Sequence, residues 1–159
     1  MNTEFELRCP ISPDLGYIRD LVRIHGRHHG LTGERLDDLV IAVNEAVTNV
    51  FDHGGRAGLI TARGHEHGVT VEVLDTGGAL TPEHLAAATV DPAGSHGFGL
   101  WIIQHLCDEV TVEQTELGSL LSLHMSGRPA TVVRLDRQTD RQARHTRSTS
   151  RRAGSDPAS

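Results

Sequence analysis

The chain has 159 residues, a formal net charge of −6, 37% apolar residues and 3% aromatics. That length fits one domain whose core is built of Leu, Val, Ile and Ala. No apolar run approaches a membrane span, and MNTEFELRCP at the start lacks an apolar core of signal-peptide length, which predicts a soluble cytoplasmic protein with no membrane partner.

The charge is unevenly placed. Residues 1–127 hold 7 Arg against 18 Asp and Glu, a balance of −11, while residues 128–159 hold 8 Arg against 3 Asp, a balance of +5. There is no Lys. The composition predicts a folded domain over 1–127 and a basic extension over 128–159, largely disordered from about 137. A basic tail can bind nucleic acid, but this one has no aromatic side chain on which bases could stack, so a solvated tail is the simpler expectation. Cys9 and Cys107 follow no metal or redox spacing and read as reduced, buried thiols.

Residues 3–9 (TEFELRC) alternate, with Phe5, Leu7 and Cys9 on one side, which predicts a half-buried strand. Ser12-Pro13-Asp14 reads as a helix start with Ser12 as the cap. Leu15, Ile18, Leu21, Val22 and His25 form the buried stripe of that helix, and Gly30 stops it. His25, His28 and His29 at its end have a spacing two metal ligands could use, but no carboxylate or Cys completes a set. Stabilisation near the helix C-terminus is the expected reading.

Thr32 caps a second helix that runs to about Phe51, with Leu36, Leu39, Val40, Val43, Val47 and Val50 as one apolar stripe. Glu45 and Asn49 sit four apart on one face bordering that stripe. Polar groups at a core edge are costly unless satisfied, and a hydrated metal with a phosphate chain would satisfy them. A solvated polar pair is the alternative on spacing alone.

Residues 58–65 and 69–75 read as a hairpin turning at His67-Gly68. The second strand ends in Asp75-Thr76-Gly77-Gly78. An ionised carboxylate accepts hydrogen bonds only, so Asp75 suits an amino group such as that of adenine. An ordinary strand-exit turn is the alternative. Thr81-Pro82-Glu83 opens a short helix. Gly97-Phe98-Gly99-Leu100 then forms a glycine-rich loop opening an apolar helix, where free backbone N–H groups and the helix dipole favour an anion. Residues 108–115 and 119–125 are two further strands joined at Leu117-Gly118. The order of elements predicts a two-layer α+β sandwich, a mostly antiparallel sheet with helices on one face.

Glu45-x-x-x-Asn49, Asp75-x-Gly77 and Gly97-x-Gly99-Leu100, in that order, resemble the ATP-binding domain shared by gyrase, Hsp90, histidine kinases and MutL. VNEAVTNVFDHG and GFGLWIIQHLCDEV are most similar to the free-standing anti-sigma factor serine/threonine kinases, over about residues 5–126. The resemblance implies the histidine-kinase-like ATPase fold, with ATP and Mg²⁺ as cofactors. It implies that Asn49 holds Mg²⁺, that Glu45 is the general base, and that Asp75, with Gly77 beside it, binds the adenine amine. Gly97, Phe98, Gly99 and Leu100 would close on the phosphates, Ser119 would stand near the adenine, and residues 78–96 would form a lid. The implied partners are a sigma factor, an anti-sigma factor antagonist phosphorylated on Ser or Thr, and a second copy in a homodimer.

Two positions depart from the family pattern. Ala79 stands where a third glycine is usual, which would be strained at positive φ. Phe98 stands where a basic residue is common, and no Arg occurs between Arg63 and Arg128. A binding module that uses nucleotide only as a conformational ligand is therefore the alternative to a kinase.

Overall fold

The computed structural model describes residues 6–66, 68–88 and 97–127, and at Phe98 the backbone only. Phe5, the turn residue His67, the second part of the expected lid at 89–96 and the basic extension over 128–159 lie outside the described residues.

Nine elements follow one another. They are β1 (Glu6–Pro10), α1 (Leu15–His28), α2 (Gly33–His53), β2 (Gly58–His65), β3 (Gly68–Thr76), α3 (Pro82–Ala86), α4 (Phe98–Leu106), β4 (Glu109–Gln114) and β5 (Gly118–Ser126). The five strands form one sheet in the order β1-β2-β3-β5-β4, with every neighbouring pair antiparallel. The α+β sandwich expected from the pattern is the fold observed.

Strand alternation explains the layering. Cys9, Ile60, Val73, Leu121 and Val112 align across the sheet on one face and are buried. α1, α2 and α4 supply the other side of that core through Ile18, Val22, Leu39, Val43, Val47, Leu100 and Ile103. The opposite face carries Arg63, Thr70, His124 and Glu109 as one aligned row. This is the in-out alternation of a sheet covered on one side. Pro10 pairs with Leu59 within β1, which is tolerated because β1 is an edge strand.

α2 is the central packing element. It contacts α1 and α4 and lies over β3 and β5. All six stripe residues expected to be buried are buried. α1 begins differently from expectation. Its cap is Asp14, whose Oδ1 accepts from the Tyr17 N–H at 3.0 Å, while Ser12 Oγ accepts from the Asp14 N–H at 3.1 Å. The hydroxyl shapes the turn before the helix and the carboxylate caps it. Thr32 is the cap residue of α2 but makes no side-chain capping bond. Gly30 takes φ +88 just past α1, as a helix stop should.

The histidines at the end of α1 pack on one another. The rings of His25 and His29 lie 4.5 Å apart, and those of His28 and His29 lie 5.1 Å apart. Burial, then the neighbouring His29 and His28, lowers the His25 pKa from 6.5 to about 4. Both cysteines are free and buried. Burial pushes the Cys9 thiol up and the Cys107 thiol up to about 12.

Candidate nucleotide-binding site

A cavity of about 340 Å³ lies between α2, the ends of β3 and β5, the segment after β3 and the start of α4. Asn49, Asp75, Gly97, Leu100 and Ser119 all line it, and so do His53, Gly54, Ala79 and His84. Residues 70 positions apart in sequence thus meet at one depression. Among the described residues no Arg lines it, and the basic side chains at its wall are His53 and His84.

Asn49 lines the cavity, whereas Glu45 and Gly99 are not among its lining residues. An ideal β-carbon on Gly99 would lie 3.2 Å from Glu45 Oε2 and 3.2 Å from Asn49 Oδ1. Two hard oxygen donors of α2 therefore face the first turn of α4. Gly97 precedes that turn at φ +129 and offers no side-chain cap. The first helical bond there is from the Trp101 N–H to the Gly97 carbonyl, at 2.8 Å. The N–H groups of Phe98, Gly99 and Leu100 have no acceptor within the helix, which is the arrangement an anion exploits.

Asp75 lines the cavity too. Its Oδ1 accepts from the Gly55 N–H at 2.8 Å. Burial raises its pKa, with the Gly55 N–H acting in the opposite direction. Asp75 pairs directly with Ser119 across β3 and β5. Ser119 is buried, and its Oγ accepts from the Leu80 N–H at 3.0 Å, so its own proton remains to be donated. Gly77 sits just outside the cavity wall at φ +76, with its N–H donating to the Leu117 carbonyl at 2.9 Å. Its role is to turn the chain after Asp75.

Carboxylate acceptor (Asp75), buried hydroxyl (Ser119), helix amide (Asn49) and open helix start (Gly97) line a single cavity. A family model described as histidine kinase-like ATPase domain matches residues 13–125. The chain belongs to that family. Among its relatives is the serine-protein kinase RsbW of Bacillus pumilus (strain SAFR-032), 33% identical over 68% of this chain and 76% of the relative. The RsbW of Bacillus subtilis (strain 168) is 32% identical over the same shares. That of Oceanobacillus iheyensis is 26% identical over 67% of this chain and 77% of the relative. The kinase resemblance read from the motifs thus lies inside the histidine kinase-like ATPase domain family.

Within this ATPase domain the two departures have different outcomes. Arg56 is the one non-glycine residue with positive φ among those described, so Ala79 is not strained. It lines the cavity with its methyl group. The side chain of Phe98 lies outside the described residues.

Residues 78–88, the described part of the expected lid, are bonded to neighbouring elements. The Leu80 carbonyl accepts from Gln114 Nε2, and the Leu85 carbonyl accepts from Gln104 Nε2 at 2.8 Å. With Ser119 holding the Leu80 N–H, three elements pin this segment. α3 is closed by a capping box in which His84 Nδ1 accepts from the Thr81 N–H at 3.0 Å and the His84 N–H donates to Thr81 Oγ1 at 3.3 Å. A backbone N–H can only donate, so Nδ1 is the bare nitrogen and Nε2 carries the proton.

The motifs do not single out His53, Gly54 or His84, which also line the cavity. His53 continues the Glu45-Asn49 spacing by another four residues, whereas a glycine pair after a helix signals locally only its end.

Proposed function

We propose that the chain is a cytoplasmic ATP-dependent protein serine/threonine kinase that acts as an anti-sigma factor. It sequesters a sigma factor and phosphorylates a Ser or Thr of an antagonist protein, as a homodimer. The observation that carries this reading is that Asn49, which lines the cavity with Asp75, also stands with Glu45 against Gly99 at the start of α4. The serine-protein kinase name of the relatives supports the reaction class.

Each residue has a chemical task in this reading. Asp75 accepts a hydrogen bond from the adenine amine, and Ser119 stands beside it to donate. The free N–H groups of Phe98, Gly99 and Leu100 bind phosphate oxygens. Asn49 offers a hard oxygen donor suited to Mg²⁺, which keeps several waters and needs few protein ligands. When bound, Mg²⁺ neutralises phosphate charge. Glu45 takes the proton from the attacking hydroxyl of the protein substrate, help typically worth ~10²–10⁴-fold. The rest is positioning.

The test is transfer of labelled γ-phosphate from ATP to a cognate antagonist. Transfer that is lost in Glu45→Ala while ATP binding persists would support the kinase. ATP binding without transfer to any antagonist would favour the second reading, a nucleotide-responsive binding module. The absence of Arg from the described cavity wall favours that second reading.

A further inference from the structure

His84 is held by one edge of its ring. Its Nδ1 accepts from the Thr81 N–H at 3.0 Å and lies 3.1 Å from Thr81 Oγ1, while the His84 backbone N–H donates to that hydroxyl oxygen at 3.3 Å. This is a capping box with His in the place where Glu or Gln is usual. The proton of the neutral ring therefore sits on Nε2, the edge away from the cap. His84 is exposed and lines the cavity.

That cavity is short of donors. The chain has no Lys, and among the described residues no Arg lines the wall. The lining side chains that can donate an N–H or O–H are Asn49, His53, His84 and Ser119. Ser119 pairs with Asp75 across the sheet. His53 precedes Gly54, on which a β-carbon would stand 1.9 Å from Asp75 Oδ2. Both therefore belong to the Asp75 corner, and Asn49 is the residue read as the Mg²⁺ ligand. His84 stands apart from these. The carbonyl of its neighbour Leu85 accepts from Gln104 Nε2 at 2.8 Å, and Gln104 belongs to α4, the helix whose first turn leaves its N–H groups open.

We propose that His84 is a phosphate-binding residue of this site, donating from Nε2–H to a phosphate oxygen of the bound nucleotide while Nδ1 keeps the cap of α3. The inference rests on the reading of the cavity as a nucleotide site. A hydrogen bond to an ionised acceptor is stronger than one between neutral groups. A ring already fixed at Nδ1 has little rotamer freedom left to lose, so more of that bond appears as affinity. The two ring nitrogens also join two events. The phosphate steadies the ring, and the ring holds the first turn of α3.

The experiment titrates ADP with Mg²⁺, and separately adenosine, into the full chain and into His84→Gln and His84→Glu. Gln and Glu both close a capping box at this position, but only Gln keeps an N–H to donate. His84→Gln should bind ADP within about threefold of the wild type, and His84→Glu at least about tenfold more weakly. Adenosine should not distinguish the three proteins. Equal ADP affinity in all three, an equal loss in both variants, or a loss in His84→Glu that adenosine shares would each overturn the proposal. A carboxylate also repels phosphate without touching it, so contact is read in the wild type from nitrogen-15 spectra of the imidazole. The His84 Nε2–H signal should move on saturation with ADP and not with adenosine. If ADP leaves it unmoved, the proposal is overturned whatever the variants do, and if a variant fails to fold this spectrum decides alone. A wild type that binds neither ADP nor adenosine would sink the nucleotide reading and this proposal together. Binding with an indifferent His84 would sink this proposal only.

Discussion

Gly99 stands so close to Glu45 that a β-carbon on it would lie 3.2 Å from the carboxylate oxygen Oε2. The contact is tight but not impossible, and Gly99 is inside α4 with no positive φ. Gly99→Ala should therefore fold and crowd Glu45 and Asn49 together. We expect phosphate transfer to fall about tenfold or more, about 1.4 kcal/mol of barrier, with a smaller loss in ATP affinity. Single-turnover transfer alongside calorimetry separates the two.

Asn49→Ala should weaken binding of ATP in Mg²⁺ and leave binding in EDTA nearly unchanged, because it removes a ligand of the ion rather than of the base. Trp101 offers the readout. It follows Gly99 by two residues and stacks on His105 with ring centroids 4.9 Å apart. An equal loss with and without Mg²⁺ would move Asn49 out of the metal role.

The acid limb of stability should belong largely to His25. Its folded pKa, about 4, lies below its ordinary 6.5, so between these values the unfolded chain binds more protons than the folded one. The stability that neutral His25 provides is whole above pH 6.5 and is lost as pH falls toward 4. A shift of that size corresponds to about 3 kcal/mol. Among the described residues, positive charge on His29 or His28 would lower it in the same direction as burial. Denaturant midpoints of His25→Leu should depend less on pH across this window than those of the wild type.

ATP affinity should fall at mildly acidic pH. Burial raises the Asp75 pKa, so the carboxylate gains its proton sooner than an exposed one would, and as a neutral acid it is a poorer acceptor. Calorimetric Kd values against pH, compared with those of Asp75→Ala, would show it. A flat profile in the wild type would contradict the expectation.

Leu39 is fully buried beneath α1 and the sheet. Leu39→Ala should cost about 2–5 kcal/mol by the usual cavity and transfer terms, read as a lower denaturant midpoint.

Much of this architecture is legible in local pattern. The stripe from Leu36 to Val50 gives α2, the alternation of Val69, Val71 and Val73 gives β3, and Thr81-Pro82 gives α3. Of the residues that motif and resemblance single out, Asn49, Asp75, Gly97, Leu100 and Ser119 line one cavity, and Glu45, Gly77 and Gly99 do not. What local pattern does not encode is pairing between distant segments. Insertion of β5 between β3 and β4 leaves no mark in either strand's alternation. The same holds for the Gly55–Asp75 hydrogen bond, whose partners are 20 residues apart. Read locally, two glycines after a helix need no reason beyond ending it. The cap of α1 is ambiguous in sequence for a subtler cause. Ser12 and Asp14 both suit the position, and only the turn at Pro13 decides which oxygen reaches Tyr17.

The direct pairing of Asp75 with Ser119 makes the cavity a checkpoint for assembly. Strand side chains alternate faces, so slipping β5 by one residue against β3 would replace the Ser119 hydroxyl with Leu120 and turn the whole apolar set outward. β3 and β5 are separated in the chain by α3, α4 and β4, so their pairing closes a long loop, the kind of contact that is slow to form. The cavity is therefore absent from any form of the chain in which β3 and β5 are not yet paired. Whatever it binds will recognise finished molecules and draw the population toward them by mass action.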